Sequence, residues 1–362
     1  MSDQSIVVNG TIVVPRVDES NYLFLNRLTI LYGESGTGKT MLISHILHSL
    51  KDKIPIAIVA NPTNKLNKSY DSIFPPQAIH DDMTKDLLIR IFKRQTQSLA
   101  MHNLIHDIDV LDPIFRKVAS GEDHQKIQKL KDVLGRTVRS IRDEYEEIEG
   151  EHMINKVNEM HKEKCINIMR KSIFKKQASL LNDHMLTEEQ QIIVKNINFN
   201  PNILLLLDDC ASSVKEWKDL KEMKQLFFEG RHYHATVIIA MQNESILPPP
   251  LRNNAHINIF TTEAVVNTYF KKESSGVSTS QRKKIYDIAK VIFEDSCDRK
   301  RPNYKKMCFF GPVIKVDKRI QYIIAKPRIF RFGSDIYWEL CKRIKKNEHS
   351  DMSTNSLSKL FA

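Results

Sequence analysis

The run Gly33-Glu34-Ser35-Gly36-Thr37-Gly38-Lys39-Thr40 fits G-x-x-x-x-G-K-[ST] at every fixed position. Residues of these types at this spacing cradle the phosphates of a nucleoside triphosphate. The glycines let the backbone wrap phosphate oxygens where a Cβ would collide. Loop amides and the N-terminus of the next helix present partial positive charge to the anion. In this chemistry Lys39 reaches the β- and γ-phosphates of ATP, and Thr40 ligates Mg²⁺. The flanks agree with the motif. The apolar run Leu28-Thr29-Ile30-Leu31-Tyr32 is long enough for a buried strand, and Leu42, Ile43, Ile46, Leu47 and Leu50 recur at helical spacing.

A second constellation completes a hydrolytic site. The strand-like Leu204-Leu205-Leu206-Leu207 ends in Asp208-Asp209. In an open α/β sheet such a strand delivers its carboxylates to the edge where the phosphate loop lies. Asp208 is the candidate Mg²⁺ ligand, through water. Asp209 is the candidate for orienting or deprotonating the attacking water. The strand Thr236 to Met241 ends in Gln242, a residue type that can sense a γ-phosphate or hold the lytic water. Arg231 and Arg252 bracket this unit, and either can act as an arginine finger in a neighbouring active site. His45 with His48, and His232 with His234, lack the further ligands of a metal site and read as ordinary histidines.

These residues need a scaffold, and the sequence specifies one. Ile54 to Ala60, Asn202 to Leu207, Thr236 to Met241 and Ile257 to Phe260 are strand candidates, with Met307 to Phe310 and Ile320 to Ala325 extending the sheet. Ser5 to Val8 and Thr11 to Val14 are shorter β-like runs ahead of them. Unbroken apolar strands alternating with helical patterns predict an α/β fold with a mainly parallel central sheet. Met83 to Ile197 is long, charged and poor in glycine and proline, which predicts a helical insertion. Within it Asp143 to Glu151 is acidic and Lys162 to Lys176 basic, the pattern of solvated helix faces. The expected division is an ATPase core in pieces (1–82, 198–265 and 266–345) around the helical insertion 83–197, with a polar tail at 346–362, the chain fraying from Lys345. Ser274 to Ser280 reads as a loop.

The chain has 362 residues, enough for a sizeable core. Its 55 Lys and Arg exceed its 44 Asp and Glu, a net charge of +11 that favours a polyanionic partner such as nucleic acid. Lys271, Lys272, Arg282, Lys283 and Lys284 flank the Ser274 to Ser280 loop and are candidates for phosphate contacts. The five cysteines are scattered, with no C-x-x-C, which predicts reduced thiols in a cytosolic setting. No signal peptide or membrane-spanning run is expected.

Leu204 to Phe260 carries a more specific signal. It contains Leu-Leu-Leu-Leu-Asp-Asp-Cys, then Phe228-Glu229-Gly230-Arg231-His232-Tyr233-His234, then Val237-Ile238-Ile239-Ala240-Met241-Gln242. It closes on Leu247-Pro248-Pro249-Pro250-Leu251-Arg252-Asn253-Asn254. This stretch resembles the poxvirus-type genome-packaging ATPases of nucleocytoplasmic large DNA viruses, a branch of the FtsK–HerA superfamily. Asn61-Pro62-Thr63-Asn64, Tyr70 and Phe74-Pro75 look like the second-strand region of the same family. The resemblance covers about residues 25 to 80 and 200 to 262.

The resemblance implies a RecA-like P-loop ATPase that assembles as a homo-oligomeric ring and pumps double-stranded DNA into a preformed capsid. It implies ATP and Mg²⁺ at the site, capsid or virion assembly proteins as partners, and a place at the viral assembly site in the host cytoplasm. Gly33, Gly38, Lys39 and Thr40 carry over to the phosphate loop, Asp208 and Asp209 to the acidic motif, and Gln242 to the sensor. Arg231 matches the arginine before the sensor strand, so the resemblance favours it over Arg252 as the finger. Asp209 stands where the wider superfamily usually has the longer Glu, a two-acid pattern similar to that of the viral branch. Other readings of the same residues are a helicase, a terminase-like motor, or a nucleotide-switched scaffold.

Overall fold

The computed structural model describes residues 5–19, 22–182, 186–210, 214, 219–242, 246–294, 304–311 and 319–348. Its strands are β1 (Ser5–Val8), β2 (Ile12–Pro15), β3 (Leu28–Tyr32), β4 (Ile56–Ala60), β5 (Ile79–His80), β6 (Ile203–Asp208), β7 (Ala235–Met241), β8 (Ile257–Phe260), β9 (Lys305–Phe310) and β10 (Ile320–Ile324). β1 and β2 form an antiparallel hairpin of their own. Three residues, Asn9 to Thr11, join the paired Val8 and Ile12; Asn9 and Gly10 take positive φ (50° and 68°) in a tight turn that Thr11 N closes by donating to Val8 O at 3.2 Å.

The other eight strands form one sheet in the order β10-β9-β8-β3-β7-β6-β4-β5. From β8 to β5 every neighbouring pair is parallel; β9 runs antiparallel to β8 and β10 antiparallel to β9. The fold is therefore α/β with a mainly parallel central sheet. The residues explain this arrangement. β3, β6, β7 and β8 are buried along their whole length, so both faces must be covered and alternation of polar and apolar residues disappears. Alternate side chains of these strands feed two apolar cores. Ile30, Leu205, Leu207, Val237 and Ile239 belong to one, and Leu31, Leu204, Leu206, Ile238 and Ala240 to the other. Helix α1 (Lys39–Leu50) packs Leu42, Ile43, Ile46, Leu47 and Leu50 into the second core.

β4 starts at Ile56 rather than at Ile54. Pro55 has no N–H to give a ladder, so the pairing with Ile203 begins one residue later. The loop expected from Ser274 to Ser280 is shorter: a single 3-10 turn covers Glu273–Ser275, and the helix Thr279–Glu294 has already begun at Thr279. The helix Asp335–Glu348 runs past Lys345, where the sequence had suggested fraying; the tail beyond Glu348 lies outside the described residues.

The chain divides into two compact units, Met1–Gln95 with Asn202–Ala362, and Thr96–Pro201. The second is helical, with helices Ile108–Val118, Gly121–Glu144, Glu147–Lys175 and Glu188–Lys195. Their starts are locally encoded. Asp107 and Ser120 accept from backbone amides inside the helices they cap, and Thr187 with Gln190 forms a reciprocal capping box. The unit has its own core of Leu111, Ile114, Phe115, Ile166, Met169 and Ile173. Among the described residues no helix is long and apolar enough to cross a membrane.

Candidate functional site

The phosphate loop springs from the C-terminal end of β3. The Gly33 amide donates to Met241 O at 3.0 Å, which ties the loop to the end of β7. A Cβ on Gly33 would stand 2.0 Å from Thr261 Oγ1, so no larger residue fits there. Gly36 and Gly38 take φ of 77° and 88°, the left-handed region that glycine enters without strain. Gly38 is followed at once by α1, so the loop amides and the helix N-terminus share one concavity. Glu34, Ser35 and Gly36 are exposed at the crest of the loop. Lys39 is buried, and its ammonium donates to Gly33 O at 2.8 Å and Glu34 O at 3.0 Å. The lysine thus lies folded along its own loop, its charge held where phosphates would sit.

Asp208 ends β6, opposite Ala240 of β7. It is only 4% exposed. Its Oδ2 accepts from Tyr70 Oη at 2.8 Å and from Asn61 Nδ2 at 3.4 Å, while Oδ1 is buried with no hydrogen-bond partner. Burial pushes the carboxyl up to about 6, and Asp209 adds to the rise against the lowering effects of Tyr70 and Lys39. A buried carboxylate oxygen without a partner costs free energy unless something cationic or protic meets it. That orphaned oxygen, beside a phosphate loop ending in Thr40, fits a hydrated Mg²⁺, a cation that favours a few carboxylate and phosphate oxygens. Thr40 and Asp208 would hold it. The Tyr70 hydroxyl is fully buried, and burial together with Asp208 drives its pKa well above the ordinary tyrosine value, so it donates to Asp208 throughout the physiological range.

Asp209 takes φ of 57°. This rare conformation for a residue with a Cβ turns the chain sharply off β6. Gln242 follows β7 directly, and its Nε2 donates to Asp209 Oδ1 at 3.3 Å. Asp209 and Gln242 are thus joined above the sheet edge that also carries Lys39 and Asp208.

The two arginines lie elsewhere. Arg252, in the short helix Pro249–Asn253, is only 5% exposed, donates to Ser274 Oγ at 3.2 Å and lies over the Tyr269 ring at 5.7 Å. A side chain held this way is part of its own core. Arg231 is exposed on the 3-10 turn Gly230–Tyr233, with Nε donating to His232 Nε2 at 3.3 Å. That turn precedes β7, whereas the phosphate loop follows the C-terminal ends of the strands. The seven residues of β7 separate the two edges, roughly 20 Å at strand rise. Arg231 cannot reach its own phosphate loop.

Lys306 had no place in the sequence reading. It sits in β9, 3% exposed, and its ammonium donates to Thr37 O at 3.0 Å and Thr261 O at 3.3 Å. Burial lowers its pKa to about 8. Thr261 Oγ1 donates to Thr37 Oγ1 at 2.8 Å, so β8 and β9 brace the loop on the side away from the acids. The available signal is that Lys306 directly abuts the apolar Met307-Cys308-Phe309-Phe310, after Lys305 at the start of β9. In the sequence Asn61 and Tyr70 stand out only through the family resemblance; their hold on Asp208 is a matter of tertiary structure.

Comparison with known proteins gives the chain its family. The model of the zonular occludens toxin (Zot) family matches residues 130–320, just over half of the chain. The chain belongs to the Zot family. Its relatives include proteins of large DNA viruses. The protein B354L of African swine fever virus, itself uncharacterized, is 26% identical over 358 residues, covering 93% of each chain. The uncharacterized protein L437 of Acanthamoeba polyphaga mimivirus is 25% identical over 180 residues, 47% of this chain and 58% of that one. The resemblance to large-virus P-loop ATPases seen in the sequence therefore stands. Among solved structures, the genome packaging NTPase B204 of Sulfolobus turreted icosahedral virus 2 with ATPγS is 13% identical, covering 84% of this chain and 98% of that one, at a TM-score of 0.35. The bacterial conjugative coupling protein TrwB is 12% identical, with 92% of each chain covered and a TM-score of 0.32.

Proposed function

We propose that this chain is an ATP-driven double-stranded DNA translocase that packages a viral genome into its capsid, working as a homo-oligomeric ring at the viral assembly site in the host cytoplasm. The observation that carries the reading is the meeting of Lys39, Asp208, Asp209 and Gln242 at one sheet edge. The viral relatives and the net charge of +11 support the choice of substrate.

Lys39 leaves the loop carbonyls for the β- and γ-phosphates of ATP as the loop amides take up the remaining charge. Bound Mg²⁺ supplies charge neutralisation across the phosphates. Tyr70 and Asn61 hold Oδ2 of the Asp208 carboxylate, which leaves Oδ1 for the cation. Gln242 positions Asp209, and Asp209 receives the proton of the attacking water. Arg231, on the far edge, inserts into the next subunit's site and stabilises the charge that develops there. The exposed Lys271, Lys283 and Lys284 contact the DNA backbone, a sequence-independent and salt-sensitive grip. Arg282 contributes less, since it already donates to Val277 O and Lys271 O. Capsid or virion assembly proteins dock the ring. The test of this reading is whether linear double-stranded DNA raises steady-state ATP turnover.

A finger acting between subunits has its own signature. Arg231→Ala should lower turnover by about a thousandfold while ATP still binds. Adding Lys39→Ala subunits, which keep Arg231, should restore part of that turnover in mixed rings. If mixing restores nothing, Arg231 does not act across a subunit boundary.

A further inference from the structure

A cavity adjoins the phosphate loop, on the flank away from the acids. Its volume is about 370 Å³, and it is lined by Gly36, Gly38, Met41, Glu263, Tyr304 and Lys306. The strand order explains why two flanks exist. β7 and β6 bring Gln242 and Asp208 to one side of β3, while β8 and β9 bring Thr261 and Lys306 to the other. Hydrolysis requires the γ-phosphate on the side of the acids. A nucleotide lying along the loop must therefore carry its sugar and base toward β9, into this cavity.

The lining suits that half of the molecule. Tyr304 lines the cavity and is 37% exposed. Its backbone is fixed independently of the ring, since Ala325 N donates to Tyr304 O at 2.7 Å. An aromatic face of this kind stacks on any nucleobase. Deeper in, a Cβ on Gly38 would lie 3.8 Å from the Lys306 ammonium, so this buried charge stands directly against the phosphate-binding glycine. The Glu263 carboxylate, also in the lining, can accept from ribose hydroxyls or an exocyclic amine.

We propose that this cavity receives the nucleoside half of ATP, with the Tyr304 ring stacked on the base and the Lys306 ammonium on the α-phosphate. The assignment rests on the ATPase reading of the loop and adds where, and by which side chains, the nucleotide beyond its phosphates is recognised. Tyr304 is a binding residue here and takes no part in proton transfer.

Calorimetric titration with ATP and with inorganic tripolyphosphate, both as magnesium salts, tests it. Tyr304→Ala should bind ATP about tenfold more weakly, the loss expected for one stacked base, and bind tripolyphosphate as the unmodified protein does. Tyr304→Phe keeps a ring and should retain ATP affinity. ATP affinity unchanged in Tyr304→Ala, or equal losses for ATP and tripolyphosphate, overturns the cavity assignment while leaving the loop intact. Failure of the unmodified protein to bind ATP would instead remove the ATPase reading, and the cavity assignment with it.

Discussion

Replacing Lys39 with alanine should abolish ATP turnover and leave the protein folded. Among the described residues the lysine makes no ion pair; its ammonium rests on two carbonyls of its own loop, Gly33 O and Glu34 O. Glu34 is exposed, so water can replace the ammonium at its carbonyl. The sheet contacts that hold the loop, Gly33 N to Met241 O and Thr261 Oγ1 to Thr37 Oγ1, do not involve Lys39. What alanine removes is the cation that meets the β- and γ-phosphates as charge develops on them. Losing a preorganised charge of this kind costs on the order of 10²–10³ in rate, and more where it also serves binding. Circular dichroism and thermal melting should match the unmodified protein within a few degrees. Turnover near the normal rate in Lys39→Ala would mean that Gly33 to Thr40 is not the site of hydrolysis.

Asp208→Asn should raise thermal stability at neutral pH while eliminating turnover. Burial holds this carboxyl at about 6 in the folded protein, against about 3.9 for an ordinary aspartate. Below about pH 4 it is protonated in both the folded and the unfolded chain and has no effect on stability. Between about pH 4 and 6 the unfolded chain ionises first, so stability falls as pH rises. Above pH 6 the cost is constant, on the order of 3 kcal/mol for a shift of this size. Asparagine never ionises, and its side-chain oxygen can still accept from Tyr70 Oη. In buffer with EDTA, the variant should therefore melt several degrees higher than the unmodified protein at pH 7.5, with the gap closing as pH falls toward 4. Magnesium should narrow the gap from the other side, by stabilising the unmodified protein alone. A variant that melts lower at pH 7.5, or that still turns over ATP, would show that Asp208 is not a penalised carboxylate awaiting a cation. The pairing of higher stability with lost activity is expected where a strained polar site serves function.

Much of this fold is legible in the chain because burial and periodicity coincide. β3, β6 and β7 are apolar runs with a glycine, acids or an amide at their C-terminal ends, and the sheet makes each such end a ligand edge. The helical stretch between β5 and β6 is equally visible, since its charges and capping residues leave no other economical reading. The strand order is not visible. Placing β3 between β7 and β8 depends on which apolar faces meet, and local patterns do not encode that. The same holds for pairs distant in sequence. Tyr70 and Asp208 are 138 residues apart, and Lys306 and Thr37 are 269 apart. The burial of Arg252 likewise depends on Ser274 and Tyr269, brought to it by later elements. A two-residue strand such as β5 carries too little pattern to be found at all.

The central claim, a motor that spends ATP on moving double-stranded DNA, is tested most directly by steady-state ATP hydrolysis with and without linear double-stranded DNA at low and moderate salt. The account predicts turnover that DNA stimulates, with the stimulation shrinking as salt releases the backbone contacts of Lys271, Lys283 and Lys284. Turnover indifferent to DNA at both salt concentrations would contradict it.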